Sequence, residues 1–226
     1  MIRGVGQSGA SLPSLYLITN MKDNGEAHLR KQVRAALDAG VRLVQLREKQ
    51  LEGGALLCLA RSLREITTEY GASLIINDRV DIALLSGADG VHLGQSGFSP
   101  RDARKITGSD KLIGVSTHSL EEALVAQDEG ADFITFGPVY ETPSKAAFGA
   151  PVGLTALKAV CTAARIPIYA IGGIKKDRVE EVMQNGASGV ALISAIMEAR
   201  NAREAAEELL GALRSFNKKR RTYDTA

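Results

Sequence analysis

The 226-residue sequence has no tryptophan, and only 4% of its residues are aromatic. Its net charge of +2 includes a terminal cluster of four basic residues, Lys218, Lys219, Arg220 and Arg221, so the rest of the chain is slightly acidic. A nucleic-acid-binding surface would need a basic face with interleaved aromatic side chains. The composition therefore argues against a nucleic-acid partner.

Signals of secretion, membrane insertion and zinc binding are also lacking. No apolar run approaches the length of a membrane span, and residues 1–14 have no apolar signal-peptide core. Cys58 and Cys161 are the only cysteines, and their apolar, helix-like surroundings predict buried thiols rather than a metal site. We expect a cytoplasmic protein without a membrane partner, and the sequence favours neither a monomer nor a homo-oligomer.

What the sequence does contain is a repeated unit, in which a helix ends at a glycine and a strand follows. Such strands follow Gly40, Gly87, Gly130 and Gly186 and end at Leu46, Leu93, Phe136 and Ile193. The glycines recur at about the length of two βα units, which makes these the even-numbered strands. Apolar runs supply the odd strands at Leu15–Thr19, Leu74–Asn77, Leu112–Ser116 and Ile168–Ile171. Helical periodicity predicts helices that include Glu26–Ala39, Leu56–Tyr70, Leu120–Glu129 and Ala202–Leu213.

Strands that are apolar on both faces belong to a parallel sheet covered by helices. Because no Gly-x-Gly-x-x-Gly opens the first helix and the repeat runs evenly to the end, a closed barrel is favoured over an open doubly wound sheet. We predict a single α/β domain over residues 1–226, a (β/α)₈ TIM barrel. Its core spans about 14–214, between a flexible N-terminal arm and a basic C-terminal tail.

Polar residues at the carboxyl ends of the strands mark the expected active site. Arg47 and Lys49 follow strand 2 and Lys145 follows strand 6, which places three cations on one rim and predicts a polyanion site. Asp78, after strand 3, fits a Mg²⁺ carboxylate, and a structural cap is the alternative. His92 lies mid-strand as a core histidine, whereas His118 at a strand end is an acid/base candidate.

The ends of strands 7 and 8 predict a phosphate site. Gly172 and Gly173 would let backbone N–H groups approach an anion, and Ser194 would begin a helix whose N-terminus favours negative charge. A tight βα turn is the alternative for the two glycines, and a helix N-cap is the alternative for the serine.

In order along the chain, the motifs are Gln-x-Arg-x-Lys, Asn-Asp, His-x-Gly-Gln, Gly-Val-Ser-x-His, Gly-Pro-x-Tyr-x-Thr-x-Ser-Lys, Ile-Gly-Gly-Ile and Ile-Ser-Ala-Ile. This set resembles thiamine-phosphate synthase from Leu15 to about Leu213. The resemblance implies a Mg²⁺-dependent transferase whose partners are hydroxymethylpyrimidine diphosphate and thiazole phosphate. Pyrophosphate would leave, and the thiazole nitrogen would capture the pyrimidine methylene cation to give thiamine phosphate.

The resemblance also implies site residues by position. The pyrimidine diphosphate would contact Gln45, Arg47, Lys49, Asn77 and Ser116, and Mg²⁺ would bind Asp78. The thiazole side and the leaving pyrophosphate would contact Thr142, Ser144 and Lys145. The thiazole phosphate would contact Gly173, Ile193 and Ser194. Arg47, Lys49, Ser116 and Lys145 would be the catalytic residues.

One position departs from the family pattern. Gly97 stands where a second Mg²⁺ carboxylate is usual, and its loop, with residues 116–123, is similar to a sister branch, the thiazole tautomerases. There a histidine matching His118 would transfer the proton of thiazole carboxylate phosphate. The retained cations favour the transferase, since a tautomerase holds no diphosphate. A non-catalytic barrel that binds thiamine precursors is the third alternative.

Overall fold

Within residues 12–142 and 150–224, which the computed structural model describes, eight parallel strands form a closed barrel in sequence order, and the last strand pairs with the first. The strands are β1 (Leu15–Ile18), β2 (Leu43–Leu46), β3 (Ser73–Asn77), β4 (Gly90–Leu93), β5 (Leu112–Thr117), β6 (Phe133–Phe136), β7 (Ile168–Ile171) and β8 (Gly189–Leu192). The predicted TIM barrel is confirmed, and every strand ends within one residue of its predicted end.

Helices connect the strands and cover the barrel. They are α1 (Gly25–Asp38), α2 (Gly53–Glu69), α3 (Val80–Leu85), α4 (Pro100–Thr107), α5 (Leu120–Asp128), α6 (Gly153–Ala163), α7 (Val179–Gln184), α8 (Ser194–Met197) and α9 (Ala202–Asp224). The repeated glycines after α1, α3, α5 and α7 all have left-handed φ angles, between +68° and +110°. They end their helices as predicted, because this conformation is unstrained only for glycine.

Helix α9 is longer than predicted. Ala202, Ala206, Leu209 and Leu213 are buried at helical spacing, and the helix then continues through the basic cluster to Asp224. Lysine and arginine are good helix formers, and no glycine or proline interrupts the sequence after Gly211. The basic segment that we placed beyond the core is therefore helical as far as Asp224. No helix in the described residues has both the length and the apolar character needed to cross a membrane.

Three of the ten aromatic residues pack together in the barrel interior. Tyr16, Phe133 and Tyr169 are almost fully buried, and their ring centroids lie 5.5–5.6 Å apart. Below them the Tyr169 hydroxyl donates to the Pro13 carbonyl oxygen at 2.6 Å. The barrel is thus a packed core, and its rim is the place where a ligand can bind.

The prediction of two buried thiols was wrong for Cys58, which is exposed on α2. The buried face of α2 includes Leu56, Leu59 and Leu63, and Cys58 lies on the opposite side of the helix. Cys161 is half-buried, and burial raises the pKa of its thiol to about 11.

Gly90 on β4 provides a test of barrel packing, because a Cβ there would overlap the backbone carbonyl oxygen of Leu112 on β5. Gly90→Ala should lower the free energy of unfolding by about 2 kcal/mol or more in urea denaturation. Gly211→Ala is the matched control, since its Cβ would meet nothing within 4 Å in α9. The control should be stabilised by about 0.5–1 kcal/mol, and equal effects of both changes would contradict the packing account.

Candidate active site

Two cations lie on the rim after β2. Arg47 is half-buried and Lys49 is exposed, and neither forms an ion pair with a carboxylate of the described residues. Gln45, two residues before Arg47, is buried, and its Nε2 donates to the Tyr16 hydroxyl oxygen at 2.7 Å inside the barrel. The predicted alignment of Arg47 and Lys49 with Gln45 depends on strand alternation, but β2 ends at Leu46, so the alignment stays a prediction for the two cations. They are available to bind an anion above the core.

Glu48 is a residue that the sequence prediction missed. Its carboxylate accepts hydrogen bonds from the Thr19 hydroxyl at 2.7 Å and from the Met21 N–H at 3.0–3.1 Å, while Thr19 accepts from the Arg47 N–H at 2.9 Å. Burial raises the pKa of Glu48, against the effect of these bonds and of Arg47. Glu48 thus ties the β1 loop to the segment that carries the cations. The position of Glu48 in the sequence, between Arg47 and Lys49, is the signal that could have identified it.

Asp78 has a left-handed φ of +58° at the end of β3, which is uncommon for a residue other than glycine. Its Oδ2 accepts from Asn77 Nδ2 and its Oδ1 accepts from the Gly94 N–H, both at 2.7 Å. Arg79 occupies the N-cap position of α3, and no side chain forms a capping hydrogen bond there. Asp78 therefore does not serve as a helix cap. The carboxylate instead joins the β3 and β4 loops and keeps further lone pairs for a cation.

Gly97 borders this carboxylate. A Cβ at Gly97 would lie 3.5 Å from Asp78 Oδ1 and 3.4 Å from the Gly94 carbonyl oxygen, at the edge of ordinary contact. Its backbone is outside the left-handed region, so a side chain is sterically acceptable there. Among the residues that the structure describes, no three His, Cys, Asp or Glu side chains form a metal-binding group.

His92 is a buried core histidine, as predicted, and it contacts the site. Its Nε2 lies 3.0 Å from Ser116 Oγ, and its Nδ1 lies 3.4 Å from the Tyr16 hydroxyl oxygen. Burial lowers the pKa of His92 to about 4; Asp78 opposes this shift and Arg47 adds to it. The imidazole is therefore neutral at physiological pH. Ser116 is half-buried, so its hydroxyl reaches both the histidine and the rim.

His118 is exposed at the end of β5. Its Nδ1 contacts the Gly137 carbonyl oxygen, which can only accept, so Nδ1 carries a proton. Its backbone N–H donates to Glu122 Oε2 at 2.6 Å. The ring is held at the margin of the rim, with Nε2 as its remaining acid/base atom.

The glycines after β7 are required by packing. Gly172 and Gly173 have φ angles of +98° and +66°, and a Cβ would lie 2.5 Å from Pro138 Cα or 2.6 Å from the Glu141 carbonyl oxygen, respectively. Arg178 donates to the Gly173 carbonyl oxygen at 2.7 Å. A side chain at position 173 would therefore disturb the contact between the β6 and β7 loops. The phosphate role of these glycines stays a prediction.

The remaining predicted residues lie near these loops or outside the described part of the chain. Ile193 occupies the N-cap position of α8 and Ser194 is the first helical residue, so Ser194 begins the helix and its alternative role as an N-cap is not observed. Thr142 is half-buried at the end of the described β6 loop. Ser144 and Lys145 fall outside the described residues.

Comparison with known proteins adds to this geometry. Residues 15–196 match the family model for thiamine monophosphate synthase. A Geobacter sulfurreducens protein provisionally named thiamine-phosphate synthase is 54% identical over 200 residues, which cover 88% of this chain and 94% of that protein. The thiamine-phosphate synthase of Moorella thermoacetica is 42% identical over 195 residues, covering 86% and 93%. The structure of thiamine phosphate pyrophosphorylase from Pyrococcus furiosus superposes with a TM-score of 0.82 at 37% identity, covering 90% and 96%.

The burial of His92 predicts a pH dependence of stability. Its pKa falls from 6.5 to about 4 on folding, so between these values the unfolded chain binds more protons than the folded one. Stability should therefore be lost as the pH falls from about 6.5 to 4, by roughly 3 kcal/mol from this group. Urea denaturation across this range should show a shallower pH dependence for His92→Gln than for wild type. Parallel curves would contradict the assignment.

Proposed function

This chain belongs to the thiamine monophosphate synthase family, and on that premise we propose how its rim performs the synthase reaction. It is a transferase that joins hydroxymethylpyrimidine diphosphate to thiazole phosphate and gives thiamine phosphate and pyrophosphate. The observation that supports our assignment of the site is that Arg47 and Lys49, above the buried polar groups of the barrel, have no carboxylate partner in the part of the chain that the structure describes.

Negative charge accumulates on the pyrophosphate as it departs from the pyrimidine methylene. Cations placed in advance at that point stabilise the transition state more than the ground state, and they need no reorganisation during the reaction. We assign this role to Arg47 and Lys49, with Lys145 as a third cation. No protein nucleophile is required, because the thiazole nitrogen forms the new bond to the pyrimidine methylene carbon.

The substrates would occupy neighbouring parts of the rim. Gln45, Asn77 and Ser116 would contact the pyrimidine diphosphate beside the two cations. The thiazole phosphate would lie beside it on the rim, where its proposed contacts are Thr142, Ser144, Gly173, Ile193 and Ser194. The loops after β2, β3 and β5 would supply the first group of contacts and those after β6 to β8 the second, and β5 and β6 are adjacent in the barrel.

Asp78 would hold Mg²⁺. Mg²⁺ commonly uses one or two carboxylates together with phosphate oxygens and water, so a full cage of protein ligands is not required. The half-buried carboxylate, fixed by Asn77 and the Gly94 N–H, fits this chemistry. When bound, the ion would neutralise charge on the diphosphate.

The proposal is tested by incubating the purified protein with both precursors and Mg²⁺ and measuring thiamine phosphate and pyrophosphate. Both products should form in equal amounts, and excess chelator should stop the reaction. Turnover of thiazole carboxylate phosphate alone, insensitive to chelator and lost in His118→Ala, would instead identify a tautomerase. Binding of the precursors without any turnover would identify a non-catalytic barrel.

Lys49→Ala should reduce kcat by on the order of 100-fold or more, because a cation that stabilises the leaving group would be lost. The fold should be unaffected, since Lys49 is exposed. Lys158→Ala removes an exposed lysine from α6 and is the matched control, with wild-type kcat expected. Similar kcat values for the two variants would remove Lys49 from the mechanism.

Gly97→Asp should lower the Mg²⁺ concentration that gives half-maximal rate, because a second carboxylate would stand beside Asp78. It should also increase the rise in melting temperature that Mg²⁺ produces, since two adjacent carboxylates repel each other without a cation. Gly97→Asn has nearly the same shape without the charge and is the control. If the two variants respond to Mg²⁺ alike, the loop does not contribute to the metal site.

A further inference from the structure

A series of hydrogen-bonding groups crosses the barrel interior from β2 to β5. Gln45 Nε2 lies 2.7 Å from the Tyr16 hydroxyl oxygen, which lies 3.4 Å from His92 Nδ1, and His92 Nε2 lies 3.0 Å from Ser116 Oγ. Tyr16, Gln45 and His92 are each at most 2% exposed, whereas Ser116 is half-buried. The series therefore begins in the core and ends at the rim.

The hydrogen-bonding chemistry of each group determines which group donates and which accepts along this series. The Gln45 amide nitrogen can only donate, so the Tyr16 oxygen accepts and the Tyr16 proton is left for the imidazole Nδ1. A neutral imidazole that accepts at Nδ1 carries its proton on Nε2. Nε2–H then donates to Ser116 Oγ, with the Thr135 hydroxyl as a weaker neighbour at 3.4 Å. The Ser116 proton is consequently directed away from the histidine.

The position of the imidazole is fixed by its surroundings. His92 on β4 is opposite Gly114 on β5, where a Cβ would lie 2.5 Å from His92 Nδ1 and would also overlap the Phe133 ring. The His92 ring centroid lies 5.8 Å from that of Tyr16 and 5.7 Å from that of Phe133. The glycine therefore provides the space for the ring, and the aromatic neighbours limit its movement.

We propose that His92 is a positioning residue, which accepts from Tyr16 and donates to Ser116, so that the Ser116 hydroxyl becomes a hydrogen-bond donor toward the bound pyrimidine substrate. The ring nitrogens and the diphosphate oxygens of the substrate accept hydrogen bonds, so a hydroxyl that donates is suited to contact them. This inference rests on the proposed function for the identity of the substrate, but the direction of the series is a property of the protein alone.

The direction is tested by ¹⁵N NMR of the imidazole groups in the full-length protein near neutral pH. The chain has three histidines, so His28→Gln and His118→Gln suffice to assign the His92 signals. We expect a neutral ring with the proton on Nε2. A ring protonated on Nδ1 alone, or on both nitrogens, would overturn the proposal whether or not the protein is active.

The effect of His92 on catalysis is tested with two variants whose side chains differ in length. The Gln side chain can place its amide nitrogen near the position of imidazole Nε2, whereas the Asn side chain is too short. His92→Asn should lower kcat/KM for the pyrimidine diphosphate about tenfold or more, while His92→Gln should retain most of it. The KM for thiazole phosphate should stay within about twofold of wild type in both.

Combining the His92 and Ser116 variants distinguishes a positioning role of His92 from a general structural role. In the Ser116→Ala background, His92→Asn should cause little further loss, because its effect passes through the missing hydroxyl. Equal losses in Asn and Gln variants, or losses that add to that of Ser116→Ala, would overturn the proposal. An inactive wild-type protein would count against the proposed function, and the NMR result would still decide the direction.

Discussion

Closure of the parallel sheet determines where the functional groups of this protein meet. Because β8 pairs with β1, the carboxyl ends of all the strands meet at one rim, and residues far apart in sequence become neighbours there. The aromatic side chains of Tyr16, Phe133 and Tyr169 fill the space below the rim. Chemistry is thereby confined to the strand ends and the loops that follow them.

The polar groups at the rim are held by two different kinds of support. Glu48 and Asp78 bind backbone N–H groups of neighbouring loops, which fixes the loops without using the cations. His92 and Tyr16 support the rim from inside the barrel, where burial keeps both side chains neutral. The cations Arg47 and Lys49 are left to interact with a ligand, and this division of roles fits an enzyme that must stabilise a departing polyanion.

The parts of this arrangement that could be predicted have local signals. A glycine after a helix and the apolar run that follows it locate the even strands, and the apolar runs between them locate the odd strands. The strand order then places Arg47 and Asp78 on one rim. The contacts of Glu48 with Thr19 and of Asp78 with Gly94 join different loops, so no local pattern could show them. The glycines after β7 suggested phosphate approach, but their contacts with the β6 loop give them a packing role that depends on three-dimensional proximity.

We propose that the cations of the rim, together with a metal ion bound at Asp78, hold the diphosphate. Calorimetric titration of the protein with pyrophosphate, in the presence and absence of Mg²⁺, tests this claim without requiring turnover. Asp78→Asn is a suitable variant, because asparagine tolerates the left-handed backbone found there. Pyrophosphate should bind with Mg²⁺ and lose affinity tenfold or more in the variant or without the ion. The same affinity under all of these conditions would contradict the account.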